Sequence, residues 1–201
     1  MPITFLKNKF LFALCLFPIF ALGRDFPKIS DEVVASYREN DQPGGQPEKY
    51  ILVRADGSEA RGVETRMPIY LLNIGAVSER NVIYSREVDG LFKEQFSVEI
   101  DRETLLSNGG TDYVILTMSR PAENNPRYVR CALNMGEDRA YLLVISDSRA
   151  KVVSKKFGGC SRTYEVIREQ EFIGYRVKEG GENPEILRYM IRGDSLVWER
   201  E

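Results

Sequence analysis

From Tyr50 to its end the chain is a succession of short β-branched and aromatic runs, each cut off by turn residues before it grows long. They include "YILVR", "PIYLLNI", "NVIYS", "FSVEI", "DYVILTMS", "YVRCALN", "RAYLLVIS", "AKVVSKKF", "SRTYEVIR", "EFIGYRV", "EILRYMIR" and "SLVWE". Most intervening segments are too short for the crossover of about a dozen residues that a parallel pair requires. The spacing therefore predicts hairpins and meanders. The expected class is α+β and β-rich: mainly antiparallel sheet, or a partly closed barrel of hairpins, with one or two short helices.

Individual runs refine that expectation. "FSVEI" alternates, with Phe96, Val98 and Ile100 on one side and Ser97 and Glu99 on the other. "DYVILTMS" reads as a buried strand. "YILVR" is expected to meet "RGVETR" across "ADGSEA", where Asp56-Gly57 signals a turn. "DRETLLSNGG" reads as one or two helical turns, with Asp101 as N-cap and Asn108-Gly109 ending them. Upstream, Ser30 of "SDEVVASYREN" is placed to cap a helix carrying Val33, Val34 and Tyr37 on one side. "NDQPGGQPE" then has two prolines, two glycines and no apolar residue, as a linker or exposed loop does. "YILVRADGSEARGV" and "YLLVISDSRAKVV" read as two independent hairpins of similar composition.

Residues 1–23 decide the compartment. Lys7 and Lys9 precede fourteen uncharged residues, Phe10 to Gly23, and Arg24 and Asp25 close the run. A spanning helix needs about 20 apolar residues, and this run is shorter and contains Pro18. Ala21 and Gly23 supply the small residues of a cleavage site, so residues 1–23 read as a secretory signal peptide. Leu14, before Cys15, argues against a lipid anchor there. Residues 24–48 form an N-terminal segment and Pro/Gly-rich linker, and 49–201 a single β-rich domain. The expected location is secreted, or periplasmic if the source is bacterial, with no stable membrane span after cleavage. Losing two lysines and no acid takes Lys+Arg from 28 to 26 against 30 Asp+Glu, a net charge of −4. The cysteines fall from three to two, Cys131 and Cys160, which in an oxidising compartment are expected to form a disulfide. Its loop of about 30 residues would stabilise the fold by roughly 3–4 kcal/mol on the chain-entropy model. If the leader is retained, two buried thiols become the expected state.

The chain contains no histidine. A Ser-His-Asp or Cys-His nucleophile is therefore impossible within it, and so is a zinc site that uses histidine. Two cysteines cannot build a tetrahedral sulfur site. Carboxylates, lysine and tyrosine remain. Glu99 and Asp101 share one side of a strand, where paired carboxylates would serve glycoside hydrolysis, although a solvated strand face is the plainer reading. No phosphate-binding glycine motif and no calcium-loop spacing occurs, so no cofactor and no metal is expected.

Between Ser148 and Tyr164 lie five basic residues and no acid: Arg149, Lys151, Lys155, Lys156 and Arg162. Against a net-negative background they form a candidate site for an anionic polymer, with Phe157 and Tyr164 as aromatic neighbours. The plainer reading is an exposed strand kept from pairing by its lysines. "RGD" at residues 192–194 matches an integrin-recognition tripeptide, yet Gly-Asp is also what a tight hairpin requires. There is no N-x-[ST] sequon.

"KYILVRADGSEARGV" resembles the hairpin of small secreted fungal ribonucleases and their ribonuclease-like effector relatives, over about fifteen of the 201 residues. The catalytic histidine of that family has no counterpart here, so the resemblance implies a binder without catalysis. The leading expectation is a secreted, non-enzymatic binding protein, effector- or inhibitor-like, with a role in virulence and acting on an extracellular or host macromolecule. One alternative is a ribonuclease-like effector that binds RNA or another polyanion without catalysis. A second is a carboxylate-dependent glycosidase. Intact-mass analysis of the exported product is expected to give a chain starting at Arg24, lighter than its reduced form by two hydrogens. A retained leader or an unchanged mass on reduction would remove the basis for the disulfide.

Overall fold

The computed structural model describes residues 26–39, 48–62, 67–76, 80–120, 137–155, 157, 162–169, 172–179, 185–192 and 195–201. Over these the order is α1 (Asp31–Glu39), β1 (Tyr50–Val53), β2 (Tyr70–Asn73), β3 (Val82–Ile83), α2 (Arg86–Lys93), β4 (Ser97–Asn108), β5 (Thr111–Arg120) and β6 (Glu137–Ser146). Then follow β7 (Arg149–Ser154), β8 (Arg162–Arg168), β9 (Ile173–Glu179), β10 (Ile186–Arg192) and β11 (Ser195–Arg200). Every pairing among the described strands is antiparallel. Three open sheets result: β1-β2-β3 (sheet A), β4-β5-β6-β7 (sheet B) and β8-β9-β10-β11 (sheet C). This is the expected β-rich α+β class, in open sheets with no closed barrel.

Sheet B is the middle layer. Val114, Leu116 and Met118 of β5 join Tyr141, Leu143 and Ile145 of β6 in a core shared with sheet A and with Val88, Leu91 and Phe92 of α2. Tyr113 and Ile115, with Ala140 and Leu142, face the other way into a core with Tyr175, Val177, Tyr189 and Ile191 of sheet C. Successive side chains of a strand point to opposite faces. A strand apolar at nearly every position can satisfy both only between two layers, which is why "DYVILTMS" does not alternate with polar residues. "FSVEI" does alternate as expected, and Phe96, Val98 and Ile100 all face the core with sheet A. The outer face of sheet A is covered by α1, where Val34 is buried and Val33 and Tyr37 pack beside Ile51, Val53 and Leu72. The Ser30 hydroxyl accepts from the Val33 amide at 3.4 Å, as a cap does.

Two expectations need correction. "DRETLLSNGG" is not helical: it continues β4, with a register shift between Asp101↔Ile115 and Leu106↔Tyr113. Arg102 to Leu105 thus stand against Val114 alone. The Asp101 side chain does take an amide two residues on, from Glu103 at 3.1 Å, but this turn bends a strand and does not start a helix. α2 went unread among the strands, although Ser85 caps it and its buried Asp89 carboxylate accepts from the Ile69 amide and from Lys93. On one side β1 pairs with Tyr70–Asn73; residues 63–66 of "RGVETR" lie outside the described residues. The "ADGSEA" turn itself forms, closed by Arg54 N–H to the Ser58 carbonyl at 2.8 Å, but it reaches β1 through the single bridge Val53↔Glu59. Gly57 has φ +83° there, and a Cβ on it would press on Val33 and Ile29.

Residues 1–25, which include the expected leader at 1–23, residues 40–47 of the expected linker, Cys131, Cys160 and Lys156 lie outside the described residues. The register Arg192↔Ser195 closes the β10–β11 hairpin across the Gly-Asp of the "RGD" tripeptide. Among the described residues no helix is long and apolar enough to cross a membrane.

Sheet C holds one close backbone approach. A Cβ on Gly174 of β9 would collide with the Tyr189 carbonyl of β10, and main chain cannot swing aside as a side-chain tip can. Gly174→Ala is expected to destabilise the protein by about 1–3 kcal/mol, as overpacking does. Urea denaturation followed by tyrosine fluorescence checks this, and an unchanged midpoint would show that β9 and β10 separate freely.

Candidate functional site

Two polar clamps join the layers. At the first, the buried Asp112 carboxylate on β5 accepts from the Tyr50 hydroxyl, from Ser107 Oγ at 2.6 Å and from Lys49 Nζ at 2.5 Å. These donors tie β1 of sheet A to the β4–β5 hairpin. Burial pushes the Asp112 carboxyl up, but the bonds from Lys49, Ser107 and Tyr50 together outweigh it and hold the group below the usual carboxylate range. The second clamp is the β4 bulge. Thr104 Oγ1 donates to the Asp101 carbonyl at 2.6 Å and accepts the Ile115 amide at 2.9 Å, which pins the bulge to β5. From sheet C, Tyr175 donates to the Thr104 carbonyl and Tyr164 to Asp101 Oδ2, each at 2.9 Å. Burial raises the phenol pKa values of Tyr50, Tyr164 and Tyr175 far above the ordinary one, and the carboxylate partners of Tyr50 and Tyr164 add to the rise.

Beside the first clamp a cleft of about 390 Å³ opens along β1 and β4. It falls in the roughly 300–1,000 Å³ range of ligand clefts. Its walls are Tyr50, Ile51 and Leu52 of β1, Val98, Glu99 and Ile100 of β4, and the Glu59–Gly62 segment, with Glu48 at the rim. Each strand is the outermost of its sheet. The Leu52 carbonyl accepts from the Ala60 amide, so Leu52, and by alternation Tyr50, turn their main-chain groups away from β2. On β4, alternate main-chain groups likewise have no strand neighbour within sheet B on this side. Three carboxylates line the cleft. Glu59 meets Arg61 at 2.6 Å, Glu48 meets Arg102 at 3.6 Å, and Glu99 projects into solvent.

The cationic candidates do not share one surface. Lys151 sits opposite Val144, so it and Arg149 project on the sheet C side of β7, both exposed. Lys155 stands over the Tyr141 ring, 5.4 Å from its centroid, on the other face. Arg162 begins β8, with its side chain outside the described residues, as is all of Lys156. Phe157 is fully buried against Tyr175 and Tyr189, and Tyr164 is engaged with Asp101, so neither ring is presented for stacking. Arg139 and Arg120, which no motif marked, lie with their guanidinium carbons 4.8 and 4.4 Å from the Phe96 centroid and cover that edge of the core.

The cleft acids gave no sequence signal, because Glu48, Glu59 and Glu99 come from separate segments joined only by packing. Asp112 had a weak one: an acid heading an otherwise apolar run. Of the carboxylate pair considered from sequence, Glu99 faces solvent at the cleft while Asp101 is held by Tyr164 and the Glu103 amide. Among the described residues no group of three histidines, cysteines or acids is placed to hold a metal ion. No family model, no curated protein and no solved structure matches this chain.

The clamps set the pH dependence of stability. A depressed carboxyl contributes stability that is present above the unfolded value near 4 and lost as pH falls. Raised phenols contribute stability that is present below about 10 and lost as pH rises. With no histidine, stability is expected to be level between about pH 5 and 9 and to fall steeply above 10. Tyr175→Phe should lower it by about 1 kcal/mol at neutral pH and flatten the alkaline fall. Chemical denaturation across pH checks both, and an inflection near pH 6.5 would contradict the assignment.

Proposed function

We propose that the protein is an exported binding protein without catalysis, and that it engages an extracellular or host macromolecule through the cleft between β1 and β4. The observation that carries this reading is the cleft itself, where the outermost strands of two sheets and three acidic residues border one solvent-open trough. Extended polypeptide is the natural occupant of such a trough, since main-chain bonds give affinity and side-chain contacts give selectivity. The polar clamps support it from the other direction. Asp112 is saturated with donors and displaced downward, and Tyr50, Tyr164 and Tyr175 are displaced upward, whereas general acid–base catalysis wants groups near the working pH. Effector or inhibitor roles fit this chemistry, and so does the secretory leader.

Strand β7 supports a second reading, binding of RNA or another anionic polymer. Arg149 and Lys151 are exposed together on the strand that is outermost in sheet B among the described residues, and counterion release would make such binding strongly salt-dependent.

Two variants of the exported protein separate these readings. Glu99→Trp sets a bulky ring at the β4 border of the cleft from a solvent-facing position and is expected to release a stoichiometric protein partner recovered by pull-down. Changing Lys151, Lys155 and Lys156 together to Glu should leave that partner bound. Retention by Glu99→Trp, or substrate turnover abolished by one carboxylate change, would overturn the leading reading. Polyanion binding lost only in the lysine variant would establish the second.

A further inference from the structure

Among the described residues, sheet B ends in two outermost strands of opposite charge. At one end is β4, with the cleft and its Glu48, Glu59 and Glu99. At the other is β7, "RAKVVS", where Arg149 and Lys151 are exposed, Val153 is 41% exposed and Lys155 follows directly. Strand direction alternates through the sheet, so β7 runs antiparallel to β4. A second copy displaced sideways along the sheet, with neither face turned over, therefore brings its β7 beside β4 in an antiparallel sense. That is the geometry in which another strand continues the ladder.

The side chains then meet on the correct faces. Glu99 stands opposite Thr117, which stands opposite Ala140, a residue of the core with sheet C. Lys151 stands opposite Val144, which packs against that same core. Glu99 of one copy and Arg149 and Lys151 of the next thus project on one side of the joined sheet. Lys155 lies on the other side, toward sheet A, whose segments carry Glu48 and Glu59. Charge also removes the competing pairings. Two β7 strands would set cations against cations, and two β4 edges would set acids against acids.

We infer that the cleft along β4 receives strand β7 of a second copy, so that the protein associates head to tail through the two edges of sheet B. This rests on the reading of the cleft as a strand receptor. The contact is heterologous, and each added copy leaves one free β4 and one free β7, so association continues into open chains unless it closes into a ring. Salt weakens it, because the facing charges are exposed.

Sedimentation velocity of the exported protein provides the test. Wild type is expected to form a concentration-dependent ladder of species at low salt that collapses toward monomer at high salt. Glu99→Lys blocks one edge and Lys151→Glu the other, both from exposed positions, so each alone should stay monomeric with an unchanged circular dichroism spectrum. Mixed, the two variants face opposite charges at both junctions, Glu99 with Lys151 at one and the introduced lysine with the introduced glutamate at the other, and the ladder should return. A monomeric wild type at low salt, a ladder indifferent to salt, or a mixture that stays monomeric would overturn the inference. If wild type is monomeric while Glu99→Trp still releases a protein partner, self-association alone falls. If Glu99→Trp also retains that partner, the cleft reading falls with it.

Discussion

Burial of β5 on both faces is the constraint on which the other parts depend. A strand with Tyr113, Ile115, Val114, Leu116 and Met118 in succession exposes a wide apolar surface unless layers cover both sides. At about 25 cal/mol per Å² of apolar area, leaving either side wet would cost more than a domain's net stability. Sheet A with α2 closes one side and sheet C the other. Each outer sheet then has a face of its own to settle. α1 covers that of sheet A, and sheet C meets water with paired charges such as Arg176 with Glu165 and Glu201.

Hydrophobic contact alone fixes neither the rotation nor the offset of stacked sheets, because apolar surfaces slide at little cost. The polar clamps supply what is missing. Asp112 accepts donors from β1 and from the β4–β5 hairpin, and the bulge at Asp101–Leu106 accepts two tyrosines from sheet C. Each bond is directional, and losing one member strands a buried polar group. The bulge also bends β4 away from β5's register at the end of the strand beyond the cleft. The cleft between β1 and β4 is thus a consequence of the layering: two sheets share a core without pairing strand to strand, and their outermost strands lie side by side.

Where sequence reading missed, it missed for local reasons. "DRETLLSNGG" offers an acid, a threonine and an Asn-Gly stop, and those residues make the same short-range bonds at a helix start and in a bulge. Which one forms depends on whether β5 is there to pair. "REVDGLFK" was passed over because its apolar stripe is only Val88, Leu91 and Phe92, among neighbours that read as strands. The pairing of β1 with Tyr70–Asn73 buries Leu71 and Leu72 on opposite faces of sheet A, a consequence of packing that the local turn at Asp56-Gly57 does not signal.

The sequence by itself determined the β-rich class, the alternation of Phe96, Val98 and Ile100, the capped helix after Ser30 and the exclusion of histidine chemistry. All follow from spacing of two to four residues or from composition, and so need no partner to be read. Tertiary structure alone decided that the strands form three sheets, that Lys155 leaves the face of Arg149 and Lys151, and that Glu48, Glu59 and Glu99 share one cleft. The shared cleft depends on segments as far apart as Glu48 and Glu99, and the face of Lys155 on the bulge in the β6–β7 pairing; both are governed by burial of whole surfaces, which short stretches of sequence do not encode.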